Sequence, residues 1–376
     1  MTLTIEVARS YSTPACARRN STRMTMRDDR ELTLGTTAMR LVRYFLIAAC
    51  VLPGIESAKP PAIAPGARVL MDAHNCYPYG GKWADRIERA LKTGTPLAIE
   101  QDLFWYTNPH TLQSQSLVTH GKPIHGNEPT MRDYFFERIR PLMEAALKEG
   151  DKGNWPLVTL NLDFKSDESA HHAAVWNLLK QYEAWICSAE RTSDKRTVMP
   201  MTVRPLLVLT GEADSQERDF YDGVTLGERL LVFGAVHTEK KNPMSPAEVL
   251  VLDPANNYRR WWNNPWSVVE RGGQRKAGPW TARDEVRLRQ LVTRAHELGL
   301  WIRFYTLDGL PDRDLSLNGW DKGYNFGSRE RASLRWLAAI KAGVDFVATD
   351  QYEDLATLVK TRVAPEPPIP ATPTEK

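Results

Sequence analysis

Cysteine is scarce in this sequence, and its spacing excludes the common cysteine-based sites. The 376 residues include four cysteines, and no pair shows the two-residue separation of a zinc or redox motif. Cys16 and Cys50 belong to an N-terminal leader, which leaves Cys76 and Cys187. An exported protein could pair these two, but the sequence does not decide whether they lie close together.

Excess charge is also absent from most of the chain. The formal charge of +3 at pH 7 arises within the first 58 residues, where eight arginines stand against five acidic residues. The remaining residues contain equal numbers of basic and acidic side chains. Binding to nucleic acid requires a basic surface, so we expect no nucleic-acid partner. We also expect the protein to be a monomer.

The apolar run in the leader is too short to span a bilayer comfortably, which takes about 20 residues. This run extends from Tyr44 to Ile55 and follows Arg40 and Arg43, which is the arrangement of a secretory signal peptide. We therefore interpret residues 39–58 as a signal peptide and expect the mature protein to be exported. A short buried helix is the alternative interpretation.

Two starts of the mature chain fit this leader. Cleavage after Ala58 is one, and the other is a lipidated N-terminus at Cys50, because Ile47-Ala-Ala-Cys50 resembles a bacterial lipoprotein box. Residues 1–38 are polar, arginine-rich and without helical or strand periodicity. We interpret them as disordered, or as an extension of the gene model ahead of a start at Met39.

Strand-like and helix-like segments alternate from Ala67 onward, which predicts a parallel sheet. The count of eight strands favours a single-domain α/β fold, a closed (β/α)₈ barrel over residues 66–362. An open doubly wound sheet is the alternative, but no glycine-rich dinucleotide loop follows the first strand. The proline-rich tail, residues 363–376, is predicted to be disordered. The predicted strands are 68–72, 95–103, 157–165, 205–210, 230–236, 266–269, 300–306 and 344–349.

Polar side chains share one face at the ends of two predicted strands. Asn161, Asp163 and Lys165 alternate with apolar residues in the third strand, and Glu100 and Asp102 do so in the second. A solvated strand face is the ordinary interpretation of each stretch. In a parallel barrel these ends meet at one mouth, where catalytic groups lie. Neighbouring carboxylates repel, and a hard cation such as Mg²⁺ or Ca²⁺ relieves that repulsion.

Two histidines complete this set of polar groups. His74 follows the first strand, and His120 lies on the loop after the second. Two imidazoles can act as base and acid near neutral pH, and Lys165 can meet negative charge on a phosphoryl oxygen. We also predict substrate contacts from residues on or beside strand ends. These are Asn75, Asn161, Arg303, Tyr305 and Trp266.

Short motifs in a fixed order extend along the predicted barrel. They include Ala73-His74-Asn75-x-Tyr77, Glu100-x-Asp102, Val118-Thr-His120, Asp163-x-Lys165 and Gly343-Val-Asp-Phe-Val-Ala-Thr-Asp350. This set resembles the PLC-like phosphodiesterase superfamily. That group comprises glycerophosphodiester phosphodiesterases, sphingomyelinase D-type phospholipases and the altered inheritance of mitochondria protein 6 family. The likeness covers about residues 66–362.

The resemblance implies a barrel enzyme with one divalent cation, Mg²⁺ or Ca²⁺. It implies cleavage of a glycerol- or lipid-linked phosphodiester, by hydrolysis or with formation of a cyclic phosphate, and peripheral contact with a membrane. Two positions depart from the pattern, since Cys76 replaces a usual Asp and Gly121 a common carboxylate. The implied metal ligands are Glu100, Asp102 and Asp163, and the implied catalytic residues are His74, His120 and Lys165.

Two other functions stay open at this point. A catalytically silent barrel could bind lipid or glycan through tryptophans that look exposed, namely Trp261, Trp262, Trp266 and Trp320. A glycosidase could use two of the barrel carboxylates, although the histidine pair and Lys165 favour phosphodiester chemistry. Hydrolysis of a phosphodiester with and without a chelator would separate these functions.

Overall fold

A computed structural model describes most of the chain. It covers residues 63–79, 82–150, 152–239, 242–271, 277–311, 313 and 325–363. The predicted signal peptide and the segment before it lie outside the described residues, as does the predicted tail beyond residue 363. No helix in the described part is long and apolar enough to cross a membrane.

Strands alternate with helices along most of the described chain. The strands are β1 (Leu70–Ala73), β2 (Leu97–Thr107), β3 (Ser114–Val118), β4 (Val158–Phe164), β5 (Ala189–Glu190), β6 (Leu206–Thr210), β7 (Arg229–Leu230), β8 (Phe233–Ala235), β9 (Arg259–Pro265), β10 (Trp301–Tyr305) and β11 (Phe346–Thr349). The helices are α1 (Arg86–Lys92), α2 (Glu137–Glu149), α3 (Ser169–Gln181), α4 (Asp214–Glu217), α5 (Ala247–Leu250), α6 (Ala282–Glu297), α7 (Arg329–Ala342) and α8 (Tyr352–Val363).

Eight of these strands form a closed parallel barrel, in the order β1, β2, β4, β6, β8, β9, β10 and β11. Strand β1 closes it, because Ala73 pairs with Ile99 of β2 on one side and Thr349 of β11 on the other. The inner and outer faces of most of these strands are buried, as expected for a parallel sheet covered by helices. The predicted (β/α)₈ barrel is therefore confirmed.

The sixth strand was placed wrongly from the sequence. The prediction was 266–269, but the strand is β9, and residues 266–268 form a short 3₁₀ turn after it. Strand β9 begins with two arginines that a sequence reader assigns to solvent. Both are buried, because Arg259 bonds to Glu217 and to the carbonyl oxygen of Ala235, and Arg260 to the carbonyl oxygen of Met199.

Strand β2 continues past the barrel as one arm of a hairpin. Its residues from Leu103 onward pair antiparallel with β3, and the chain then returns to the barrel mouth at Thr119. The backbone nitrogen of Thr119 donates to the carbonyl oxygen of Asp102. This hairpin carries His120 to the strand ends, which explains how a loop residue reaches the barrel mouth.

Helix α6 shows how local sequence signals set an element's limits. Thr281 and Asp284 form a capping box, in which each side chain accepts from the other residue's backbone N–H. The chain leaves the helix at Gly299, whose φ of 74° favours glycine. A threonine before the first turn and a glycine after the last turn are the signals by which helix ends are recognised in a sequence.

Cys76 and Cys187 are both buried, and both are free thiols. Cys187 exchanges sulfur–backbone hydrogen bonds with Arg204. Burial raises the pKa of both thiols, so neither is prepared for nucleophilic chemistry at neutral pH. Their place in the structure is that of small packing residues.

Gly309 lies where the chain after β10 passes close to the start of α7. A Cβ atom there would overlap the carbonyl oxygen of Ser328 and the side chain of Ala332. We expect Gly309→Ala to lower the free energy of unfolding by about 1–3 kcal/mol, measured by denaturant titration. Gly278→Ala is the matched control, since a Cβ at Gly278 meets open space. Equal stability of the two variants would contradict the close packing described.

Candidate active site

A cavity of about 560 Å³ opens at the C-terminal ends of the barrel strands. It is lined by residues from several strands and by the β2–β3 hairpin return, as the shared mouth of a parallel barrel requires. Most of the predicted site residues meet here. Those that line it are His74, Asn75, Glu100, His120, Asn161, Asp163, Lys165, Arg303 and Tyr305.

Three carboxylates form one cluster next to this cavity, and two of them line it, whereas Asp102 is fully buried and does not. Glu100, Asp102 and Asp163 each offer an oxygen, and these oxygens lie within 4.8 Å of one another. Adjacent strands produce this arrangement, because Glu100 pairs with Asn161 and Asp102 with Asp163 in the β2–β4 register. The cluster therefore follows directly from the Glu-x-Asp and Asp-x-Lys spacings.

Asp102 is the carboxylate with the least compensation. It is fully buried, and neither of its oxygens accepts a well-formed hydrogen bond, although Lys165 Nζ lies 3.1 Å from Oδ2. Burial, with repulsion from Asp163, raises its pKa well above the ordinary range. Buried, unbonded carboxylate oxygens beside two other acids are a donor set that fits a hard divalent cation.

Glu100 is by contrast surrounded by donors. Its Oε1 accepts from Asn161 at 3.2 Å and from Arg303 at 3.2 Å, and its Oε2 accepts from the backbone of Asn75 at 2.9 Å. Burial alone would raise its pKa, but the Arg303 and His74 charges outweigh this and lower the pKa to about 2. Glu100 is thus held ionised and fixed in orientation.

Residues that directly follow the last barrel strand, β11, hold His74 in place. Its Nδ1 lies 3.1 Å from Asp350 Oδ1, and its carbonyl oxygen accepts from the Tyr352 hydroxyl at 2.8 Å. Nε2 lies 3.5 Å from Glu100 Oε2. Burial alone would lower its pKa, but Glu100 and Asp350 outweigh burial and raise the pKa to about 9.

A second carboxyl group supports Asp350. Asp308 Oδ1 accepts from the Asp350 backbone at 2.8 Å and from the Thr349 hydroxyl at 2.6 Å. Burial, followed by repulsion from Asp350, raises the pKa of Asp308 well above its ordinary range. Asp308 thus holds the backbone of Asp350, whose carboxylate contacts the His74 ring.

His120 faces the cavity from a more exposed position. Its ring meets Tyr79 edge to face, with centroids 6.5 Å apart. Burial of part of the ring, with the nearby Lys165 charge, lowers its pKa. His120 is therefore neutral near pH 7, and a neutral imidazole can accept a proton.

Arg303 is a fixed positive charge beneath the cavity. It is 1% exposed, bonds to Asp72 and Glu100, and donates to Asn263 at 3.1 Å. Tyr305, on the same face of β10, stacks on His74 with centroids 5.9 Å apart. Both predicted positions thus lie at the cavity, as the strand periodicity indicated.

Trp266 does not lie at the cavity, and its prediction as a substrate contact is wrong. It is fully buried, donates to Glu270 at 2.7 Å and packs against Phe304. Trp261 and Trp262 are also buried, and Trp320 lies outside the described residues. Trp261, Trp262 and Trp266 therefore provide no exposed surface for a silent lipid- or glycan-binding barrel.

Several cavity and support residues escaped the sequence analysis. Asp350 directly follows the eighth strand, so the same strand-end rule that selected His74 could have found it. Asp308 lies three residues beyond β10, in a stretch without periodicity, and carried no signal. The cavity also includes Tyr77, Tyr79, Trp83, Arg86, Glu212 and Asn263, among others.

Asp350 is expected to act as a positioning residue for His74. Asp350→Asn would remove a negative charge that, with Glu100, raises the pKa of His74, so we expect kcat to fall about a hundredfold with little change in KM. Asp354→Asn is the control, because Asp354 pairs with Arg329 away from the cavity. Steady-state kinetics of both variants would measure this, and equal kcat values would contradict the role.

No protein-family description and no curated protein matches this sequence. Among solved structures, the chain is similar to a glycerophosphoryl diester phosphodiesterase from Parabacteroides distasonis, with 13% identity, 80% of this chain and 89% of that chain covered, and a TM-score of 0.38. It is also similar to Plasmodium falciparum HPPK-DHPS, with 8% identity, 79% and 48% covered, and a TM-score of 0.40.

A third similar structure is the 7,8-dihydropteroate synthase from Vibrio fischeri, with 12% identity, 80% and 95% covered, and a TM-score of 0.32. These proteins have different names and chemistries. Likeness at this level carries no argument about activity, so the function of this chain is argued from its own side chains.

Proposed function

We propose that this protein is a metal-dependent phosphodiesterase that cleaves a glycerol- or lipid-linked phosphodiester. The observation that carries the proposal is the composition of one cavity. Two imidazoles, His74 and His120, line it together with two members of the carboxylate cluster and the cations Lys165 and Arg303. Acid, base and positive charge are the three requirements for displacement at phosphorus.

The carboxylates Glu100, Asp102 and Asp163 are the proposed ligands of one divalent cation, Mg²⁺ or Ca²⁺. The unbonded oxygens of Asp102 support this assignment. When bound, such an ion would supply positive charge to a phosphoryl oxygen. Lys165 and Arg303 add charge of the same sign, so the cavity as a whole suits an anionic substrate.

Proton transfer is assigned to the two histidines. His120, neutral and accessible, accepts the proton of the attacking hydroxyl as its oxygen bonds to phosphorus. His74, held at Nδ1 by Asp350, presents Nε2 to the leaving oxygen and donates a proton as the phosphorus–oxygen bond breaks. Water as the nucleophile gives a monoester, whereas a hydroxyl of the substrate gives a cyclic phosphate.

The test is hydrolysis of bis(p-nitrophenyl) phosphate with and without chelator, followed by a panel of glycerophosphodiesters and phospholipids read by phosphorus NMR. We expect hydrolysis that chelator abolishes and that added Mg²⁺ or Ca²⁺ restores. The NMR spectra distinguish a linear from a cyclic product. Absence of turnover on every panel member, or turnover indifferent to chelator, would refute the proposal.

A further inference from the structure

The ammonium group of Lys165 lies among the proposed metal ligands. Its Nζ is 2.7 Å from Asp163 Oδ2 and 3.1 Å from Asp102 Oδ2. At these distances Lys165 forms an ion pair with each of the two carboxylates. Two of the three carboxylates therefore share one positive charge that the protein itself supplies.

An ammonium group and a divalent cation compete for these two oxygens. Mg²⁺ or Ca²⁺ binds carboxylate oxygens at about 2.0–2.6 Å. A cation bound through Asp102 Oδ2 and Asp163 Oδ2 would crowd the Nζ atom that already contacts both. Like charges at such a separation repel strongly in a partly buried site. Cation binding through these oxygens therefore favours movement of Nζ away from them.

Lys165 is the group that can move. Its side chain is 24% exposed, and it already lines the cavity. A lysine carries its charge on a flexible four-carbon stem. Arg303 differs, because its side chain is 1% exposed and is bonded to Asp72 and Glu100. The cavity thus has one fixed and one mobile positive charge.

On the basis of the function proposed above, we propose that Lys165 acts as a built-in counter-ion that a divalent cation displaces into the cavity. In the cation-free protein, Lys165 balances Asp102 and Asp163. Cation binding breaks both ion pairs and releases Nζ toward the space that the substrate's phosphate occupies. Binding of the cation would then also place the ammonium group where the substrate's phosphate binds. This favours an order in which the cation binds before the substrate.

The first test is calorimetric titration of Lys165→Met with CaCl₂ and MgCl₂ in the absence of substrate. Because the competing ammonium group is removed, we expect cation affinity to rise about tenfold or more. Lys180→Met is the matched control. It removes the same charge from a surface pair with Glu183, and its cation affinity should stay within about twofold of wild type. Unchanged or weaker affinity in Lys165→Met would overturn the proposal.

The second test uses the wild-type protein and detects the movement itself. A nearby positive charge that stayed in place would also weaken cation binding, so tighter binding in Lys165→Met does not by itself show displacement. Lysine acetylation by an N-hydroxysuccinimide ester, followed by peptide mass spectrometry, reports how free each amine is. We expect labelling of Lys165 to increase about threefold or more on addition of CaCl₂, because its ion pairs are broken. Labelling of Lys180 should not change.

The result separates this inference from the proposed activity. Lys165 labelling that is indifferent to CaCl₂, in a protein that hydrolyses phosphodiesters and loses activity to chelator, would refute displacement and leave the function intact. Tighter cation binding in Lys165→Met together with calcium-dependent labelling would support displacement even if no phosphodiester were cleaved. In that case the proposed reaction would be wrong.

Discussion

Replacement of His74 by alanine is expected to lower kcat by about 10²–10⁴-fold while leaving the affinity for divalent cation within about threefold of wild type. The reason is that His74 is assigned to proton transfer, whereas the cation is assigned to Glu100, Asp102 and Asp163. Asp350 holds the ring, but no other described imidazole is placed at the same strand end to replace it. Steady-state kinetics and calorimetric cation titration measure the two effects.

A histidine outside the cavity provides the control. His237 also pairs with an aspartate, since its Nε2 lies 2.9 Å from Asp214 Oδ1, but it is half exposed and does not line the cavity. His237→Ala should therefore retain wild-type kcat. Full activity in His74→Ala would remove this residue from the reaction, and loss of cation binding would make it a ligand instead.

Asp102→Asn is expected to reduce cation affinity and activity together, each by about tenfold or more. The substitution keeps the side-chain volume but removes one of the negative charges that hold the cation. Because Asp102 is fully buried, the change does not alter the surface that meets the substrate. Asp194→Asn, at a surface pair with Arg196, should change neither quantity.

The cation affinity and the activity of Asp102→Asn can be interpreted only if the variant is folded. Circular dichroism and thermal unfolding of wild type and variant establish this. Activity that survives while cation binding is lost would show that the ion is not required. Intact binding with lost activity would move Asp102 from the ligand set to another role.

The strand-end residues were predictable because two periodicities coincide. A period of two puts Glu100 beside Asp102 on one face, and the barrel register then places Asp163 next to Asp102. The eight-strand count came from the same alternation of apolar and polar segments. These are local signals, and in the folded barrel the residues that they select lie close together, as the signals predict.

The predictions that failed, and the residues that were missed, concern side chains whose partners are distant in sequence. Arg259 looks like a loop residue until Glu217 is placed beside it, and this hid strand β9. Trp266 looks like a surface aromatic until Glu270 and Phe304 enclose it. The structural role of Asp308 depends on its contact with Asp350, 42 positions later. No pattern within one segment reveals such pairs, because their physics is that of a buried contact formed by the complete fold.

The contact between His74 and Asp350 joins residues 276 positions apart, at the seam where the first barrel strand meets the last. During synthesis on the ribosome, the chain presents His74 long before Asp350 and Tyr352 have been made. A chain that ends before Asp350 lacks this contact to the imidazole. The proposed activity would therefore depend on closure of the barrel by its last strand.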